Sequence, residues 1–164
     1  MSMIRRRTSR DRAVSISVTH VLTLGITTIL IAMLVASAGT MLEVETDRSA
    51  DASLETIGER LADQIGNADQ IGAGTDNVTL TVDHPRTVAS SRYTVKLLKP
   101  SSCASAPLLD GSASCVKLTA DGADAVVYVP IKTEAAIDAG SSTSGGTIKI
   151  VYESGSISIE DGTQ

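Results

Sequence analysis

An uncharged, largely apolar run from Val14 to Leu42 follows a cluster of arginines at the N-terminus of this 164-residue chain. As an α-helix rising 1.5 Å per residue, the run would be about 43 Å long, whereas the hydrocarbon core of a bilayer is about 30 Å thick. A buried core helix of that length would be abnormal in so small a protein. The run therefore predicts a membrane-spanning or export segment, which leaves room for one further domain.

Charge is distributed unevenly along the chain. Residues 1–13 contain five arginines and one aspartate, whereas residues 43–164 contain 18 acidic and 9 basic residues. Because phosphate binding needs a basic face, the acidic body argues against nucleic acid as a partner. Arginines ahead of an apolar run are typical of a cytoplasmic flank, so we expect a cytoplasmic N-terminus and an extracellular body. The acidic composition fits either a protein hydrated in concentrated salt or an ordinary acidic secreted domain.

Two conventional interpretations of the apolar run are a cleaved signal and a permanent anchor. The small residues "ASA", Ala36 to Ala38, form a possible signal-peptidase site, and cleavage after Ala38 would release a soluble domain. The run is longer than the roughly 7–15 apolar residues of such a signal. An uncut single-pass anchor needs only the hydropathy and the arginines, and its β domain would then bind an envelope partner.

The junction between the basic and apolar segments supports a third interpretation. Arg12 and Ala13, a basic and a small residue, stand directly before Val14 in "RAVSISV". This arrangement resembles the class III signal of archaeal type IV pilins and pilin-like proteins. The resemblance implies that a prepilin peptidase cuts between Ala13 and Val14 and leaves the apolar helix on the mature protein. Together with the acidic body, it implies a halophilic archaeal source. The chain departs from the common patterns at Ile16, where many archaeal pilins have proline, and at Val18, where bacterial pilins have glutamate.

Small residues recur along the apolar run at spacings of three and four. Such spacing puts them on one side of a helix, where small side chains let backbones approach closely. Small residues are also simply frequent in membrane helices, so both explanations stay open. The predicted helix-packing residues are Gly25, Thr28, Ala32, Ala36 and Gly39.

Beyond Leu42 the sequence changes from a helical to a strand-like period. Leu54, Ile57, Leu61 and Ile65 form an apolar stripe at helical spacing, and glycines after Ile71 predict the helix end. Alternating segments then predict strands at 78–83, 92–98, 115–120, 125–131, 147–153 and 156–160, with a flexible connector at 139–146.

These patterns predict an α+β fold, in which a long transmembrane stem helix precedes a small antiparallel β-sheet head, a pilin-like lollipop. The expected parts are a basic cytoplasmic leader (1–13), a transmembrane and polymerisation helix (14–42), an amphipathic helix continuation (43–73) and an extracellular β domain (74–164).

Two further features concern covalent modification of the β domain. Cys103 and Cys115 are the two cysteines, and in an exported domain they favour a disulfide over a zinc site, because no second ligand pair has suitable spacing. Free thiols are the other alternative. Asn77 begins the sequence "NVT", which is a glycosylation sequon.

The sequence contains no recognisable catalytic pattern. His84 is the single histidine of the predicted outer domain, and it precedes Pro85 in an expected turn. We found no nucleophile elbow, paired metal-ligand motif or dinucleotide-binding glycine motif. We therefore expect a non-enzymatic protein without cofactor, metal or small-molecule substrate. Its expected partners are membrane lipid, a prepilin peptidase, and further copies of itself or other pilins.

Overall fold

The computed structural model of the protein describes residues 7–107 and 109–163, with side chains from Ser17 onward. It begins with a long helix, α1 (Arg7–Gly72). The other elements are β1 (Asn77–Asp83), β2 (Thr87–Val88), β3 (Ser91–Leu98), α2 (Pro100–Cys103), β4 (Cys115–Ala120), β5 (Val126–Pro130), β6 (Ala136–Ile137), β7 (Ser142–Ser144), β8 (Thr147–Glu153) and β9 (Ser156–Asp161). The predicted sequence of an apolar N-terminal helix followed by β-sheets is confirmed, and the fold is α+β.

The chain divides into two compact units, Met1–Glu43 and Val44–Gln164. The boundary lies inside α1, so one helix belongs to both units. In the second unit, the remaining part of α1 packs its apolar face into the core of the β domain. The buried residues of that face, at spacings of three and four, are Ala50, Leu54, Ile57, Leu61, Ile65 and Ala68.

Glycine allows α1 to approach the strands closely at one position. A Cβ atom on Gly58 would lie 2.6 Å from Val129 Cγ2 and 2.9 Å from Leu118 Cδ1. Because these distances are too short for a real carbon contact, a side chain here would force Val129, Leu118 or the helix itself to shift. α1 ends at Gly72, which packs against the ring of Tyr152.

The strands form two sheets. In the first sheet, the order is β1-β8-β9-β6, and the pairs are antiparallel except that β6 and β9 are parallel. In the second sheet, β2, β3, β4 and β5 are consecutive antiparallel neighbours, and β7 pairs with β3. The prediction of an antiparallel head is therefore confirmed for the described strands apart from the pair β6–β9.

The region predicted as a flexible connector contains strand β7. Ser142 and Ser144 pair with Lys96 and Thr94, respectively, on β3. The prediction was wrong because serine and glycine are poor indicators of strands, while a short segment can still be held by the hydrogen bonds of a neighbouring strand. Thr143 in this strand is 7% exposed, so β7 also contributes to the interior.

The core of the second unit is mainly aliphatic and includes two buried tyrosines, Tyr93 and Tyr152. The Tyr93 hydroxyl donates a hydrogen bond to the Pro85 carbonyl oxygen at 2.7 Å. Burial raises the pKa of Tyr93, because the phenolate would lose hydration. The hydroxyl is therefore satisfied in its protonated form, and Tyr93 has a structural role.

Candidate membrane and assembly segment

The part of α1 from Ser17 to Leu42 has only exposed residues. Its large apolar side chains are more than half exposed, for example Leu34 at 70% and Met41 at 73%. The most apolar stretch of this segment has no buried residue. Within residues 7–107 and 109–163, α1 is the one helix long and apolar enough to cross a membrane. So large an apolar surface favours lipid or another apolar partner over water.

Threonine hydroxyls in this apolar segment are satisfied by the helix itself. Thr23 and Thr27 donate to the carbonyl oxygens of Thr19 and Thr23, at 2.8 and 2.7 Å. Thr28 donates to the carbonyl oxygens of Leu24 and Gly25, at 3.0 and 2.9 Å. An unsatisfied hydroxyl would be costly in hydrocarbon, so these internal bonds make the segment compatible with lipid without a polar partner.

The predicted helix-packing residues lie on one side of α1. At 100° per residue, Gly25, Thr28, Ala32, Ala36 and Gly39 fall within a sector about 80° wide. A Cβ atom added to Gly25 or Gly39 would have no atom within 4 Å, so the helix backbone is accessible there. Large exposed side chains cover most of the remaining circumference, including Leu24, Ile26, Ile29, Leu30, Ile31, Met33 and Leu34.

The predicted processing site lies at the beginning of α1. Arg12, Ala13 and Val14 have helical backbone, but their side chains lie outside the described residues. The first six residues of the predicted leader also lie outside them. Ala38, the residue before the alternative signal-peptidase cut, is exposed within the same helix. The geometry of the described residues therefore favours neither cut.

The two cysteines are joined in a disulfide within the β domain. The S–S distance is 2.05 Å and the Cα–Cα distance is 6.1 Å. Cys103 is the last residue of α2 and Cys115 is the first residue of β4, and both are fully buried. The bond closes the loop between these elements, which stabilises the folded domain by about 3 kcal/mol in the chain-entropy model.

The sequon asparagine lies at an accessible position. Asn77 is the first residue of β1, and both Asn77 and Thr79 are exposed. Their side chains point to the same face of the sheet, because they are two residues apart on a strand. The structure thus leaves both side chains of the sequon available to a modifying enzyme.

The histidine of the β domain contacts α1. His84 Nε2 lies 3.2 Å from Gln64 Oε1, and the backbone N–H of His84 donates to the Gly146 carbonyl oxygen at 3.0 Å. Burial lowers the pKa of His84, and the nearby Arg60 charge lowers it further, whereas Asp83 raises it. Burial and the Arg60 charge thus favour the neutral ring, and the contact with Gln64 connects the turn after β1 to the helix.

Acidic side chains of α1 hold two further loops, although the sequence gives no signal that separates them from other solvated acids. Asp47 Oδ1 accepts a hydrogen bond from the backbone N–H of Asp124 at 3.1 Å. Asp69 Oδ2 accepts one from the backbone N–H of Glu134 at 2.7 Å. Such contacts join residues far apart in sequence, and only the folded chain reveals them.

An open groove of about 700 Å³ lies beside Asp69, between the end of α1 and residues 132–135. Lys132 and Glu134 on its rim are exposed, and the Asp69 carboxylate already accepts the Glu134 hydrogen bond. Among the described residues, no group of three or more histidine, cysteine, aspartate or glutamate side chains is placed to hold a metal ion. The described residues of the groove therefore give no indication of a metal site.

These features define an α+β protein with an N-terminal helix suited to membrane anchoring. The chain belongs to DUF7266, a family of unknown function, whose family model matches residues 9–160. The match includes the apolar segment as well as the β domain. No curated protein and no solved structure matches the chain significantly.

Proposed function

We propose that the protein is a pilin-like envelope protein that assembles through its N-terminal helix into a type IV pilus-like structure. The observation that supports this most is the apolar segment of α1, which is exposed from Ser17 to Leu42 on a helix that continues unbroken into the β domain. A cut after Ala13 would leave this segment on the mature protein. Packed apolar helices would then replace lipid around it.

The proposed topology has a cytoplasmic N-terminus and an extracellular β domain. The arginines before Val14 favour this orientation. The disulfide between Cys103 and Cys115 also supports it, because disulfides persist mainly outside the cytosol. On the outer side of the membrane, Asn77 would be accessible for glycosylation. The role is structural rather than catalytic, and the partners are lipid, a prepilin peptidase, and other copies or other pilins.

N-terminal sequencing and intact mass of the native protein test the proposed processing. We expect a mature chain that begins at Val14, and we expect A13L to abolish the cut while the matched variant A38L leaves it unchanged. A chain beginning at Gly39 would instead establish a secreted domain. An intact or merely Met-trimmed chain would establish an uncut anchor, and either result would overturn the proposal.

Cysteine cross-linking in native membranes tests the proposed helix association. Ala32 lies in the sector of small residues, and Leu34 lies roughly 160° away around the helix. The native cysteines are paired, so an introduced cysteine provides the free thiol. We expect A32C to form cross-linked dimers upon oxidation much faster than L34C. Equal rates for the two variants would contradict association through the small residues.

A further inference from the structure

Strand β1 forms one edge of the first sheet, and the side away from β8 pairs with no strand among the described residues. The ladder to β8 continues beyond both strand ends: the His84 N–H donates to the Gly146 carbonyl, and the Asp76 carbonyl accepts from Ser154. Successive residues of a strand direct their main-chain groups to opposite sides. Even-numbered residues of β1 therefore bond to β8, and odd-numbered residues direct their N–H and C=O groups away from the sheet.

This open edge lacks most of the features that protect natural sheet edges. Protected edges are short, or they carry proline or charged side chains that oppose pairing with another strand. β1 is seven residues long, contains no proline, and has no charged residue before Asp83. In the second sheet, β5 is one of the edge strands, and it has five residues and ends in Pro130. The two edges thus differ in their capacity to accept another strand.

The five central residues of β1 are symmetric in sequence about Leu80. Val78 to Val82 reads "VTLTV" in both directions, with Leu80 in the middle. The side chains of Val78, Leu80 and Val82 are only half-buried, whereas Thr79 and Thr81 are exposed on the other face. Over these five positions, an antiparallel strand of the same sequence would match this edge residue for residue.

We propose that the β1 edge is a self-pairing surface, on which β1 of a second copy of this chain docks antiparallel about a twofold axis through Leu80. In this register, Thr79 lies opposite Thr81 of the second copy, and Asn77 lies opposite Asp83. These odd-numbered residues are the ones with outward main-chain groups, so they form hydrogen-bonded pairs, with roughly eight main-chain hydrogen bonds in all.

The side chains fit the same register. Leu80 lies opposite Leu80 of the second copy, and Val78 lies opposite Val82, so apolar side chains extend across the interface on the half-buried face. Threonine pairs, which are favourable across strands, form on the exposed face. The two Asp83 carboxylates lie at opposite ends of the interface, each facing an asparagine, so like charges do not meet.

The pairing is distinct from helix association and does not depend on processing after Ala13. One strand pair is smaller than a standard protein interface, so we expect a weak dimer that forms most readily when copies are concentrated in a membrane. Oxidative cross-linking of the full chain in membranes is therefore the appropriate test. The protein should be produced without glycosylation, because a glycan on Asn77 would lie at the end of the paired edge.

The first variant is L80C, because position 80 is the one that faces itself. Directly opposed Cβ atoms lie about 4.5–5.5 Å apart, within reach of a disulfide. The matched control is V126C on the β5 edge, where Val126 is 44% exposed. We expect cross-linked dimers from L80C and monomers from V126C. Equal cross-linking of both variants, or cross-linking of L80C only to other proteins, would overturn self-pairing.

The register is tested independently at exposed positions, which also covers a failure of L80C to fold. Tagged T79C copies mixed with T81C copies should cross-link to each other several-fold more than either variant does to itself. Charge reversal provides a second check. T79E/T81E places like charges opposite each other and should weaken the dimer about tenfold.

T79K/T81E is the matched rescue variant, because each new lysine faces a new glutamate of the second copy. This variant should restore the dimer that T79E/T81E weakens. The dimer is measured in both variants by chemical cross-linking between the two copies. Position 81 pairs with Lys149 in the same chain, so both charge variants keep glutamate there and differ only at position 79. A loss in both variants, or in neither, would contradict the proposed register.

Discussion

The two parts of α1 share one backbone conformation and differ in what surrounds them. From Ser17 to Leu42 the helix carries no charged residue, and all its side chains are exposed. From Val44 to Gly72 it carries acidic and basic residues on its exposed faces, while one apolar face is buried by the strands. The second part thus obtains its apolar environment from its own chain, whereas the first part must obtain one from lipid or from other molecules.

The difference shows that helix continuity does not reveal function, because backbone hydrogen bonds are satisfied in the same way in both parts. The side chains determine the environment. A narrow apolar stripe needs a sheet on one side, whereas an apolar surface around the whole circumference needs a solvent that is itself apolar. Substitutions in the first part should therefore change membrane retention, whereas matched substitutions in the second part should change the stability of the β domain.

The largest expected effect comes from placing charges in the first part. L30R/L34R introduces two arginines into the apolar segment, and each costs about 2.5–3.5 kcal/mol near the centre of a membrane helix. We expect the fraction of protein that resists carbonate extraction from membranes to fall strongly. The matched variant A52R/T56R alters two exposed positions of the second part.

We expect A52R/T56R to remain in the membrane like the parent protein. If L30R/L34R were retained equally well, the apolar segment would not be the anchor. If both variants were released, the second part of α1 would contribute to membrane binding, and the distinction between the two parts would fail.

The next effect concerns the stability of the β domain. Leu61 is fully buried, so L61A should lower the free energy of unfolding by about 2–5 kcal/mol through lost contacts and a cavity. L30A removes the same atoms from a side chain that is 55% exposed and should leave this free energy unchanged. Urea unfolding in detergent measures it by tyrosine fluorescence, since all three tyrosines lie after residue 44. Similar losses in both variants would show that the two parts unfold together.

Alanine substitutions at two glycines of the second part should have smaller effects on stability, and the two effects should differ in sign. Alanine at either position gains up to about 1 kcal/mol of helix propensity. At Gly58 the new Cβ meets Val129 and Leu118, and overpacking costs about 1–3 kcal/mol. At Gly66 the nearest atom is the Lys132 carbonyl oxygen at 3.4 Å. We therefore expect G58A to lower the melting temperature and G66A to preserve or raise it, as measured by far-UV circular dichroism.

A melting temperature raised equally by both glycine variants would mean that the helix approaches the strands less closely than described. G25A provides the comparison with the first part. No atom lies within 4 Å of the added carbon there, so the melting temperature of the β domain should not change.

Much of this fold could be predicted because its main elements have strong local patterns. The stripe of Leu54, Ile57, Leu61 and Ile65 repeats at helical spacing, and all four residues are buried. The alternating segments correspond to β1, β3, β4, β5, β8 and β9. Strand pairing was not accessible from local patterns, so the short strands β2, β6 and β7 were missed, and the parallel pair β6–β9 was not expected.

The candidate sites also differ in how far they could be predicted from the sequence. The pairing of Cys103 with Cys115 could be proposed from the sequence because no other cysteine competes. The symmetric "VTLTV" segment did not indicate a function from the sequence alone. The structure adds that β1 lies at a sheet edge and that the main-chain groups of its odd-numbered residues are directed outward. Its role depends on strand order, which is set by contacts between residues distant in sequence.

The smallest expected effect is on the pH dependence of stability, and a comparison of the two histidines of the chain tests it. His84 has a pKa below its ordinary value of 6.5 because burial and Arg60 disfavour the charged ring. The unfolded chain therefore binds more protons than the folded one as pH falls through 6.5 toward the lowered pKa, and stability is lost across that range. The slope cannot exceed about 1.4 kcal/mol per pH unit, and solvent screening reduces it because His84 is half-buried. Urea unfolding at pH 7.5 and 5.5 should show a decrease that H84Q diminishes. H20Q alters the histidine of the apolar segment and should leave this loss of stability unchanged. If the loss were smaller in H20Q than in H84Q, the pH-sensitive group would lie in the first part of α1, and the prediction would be wrong.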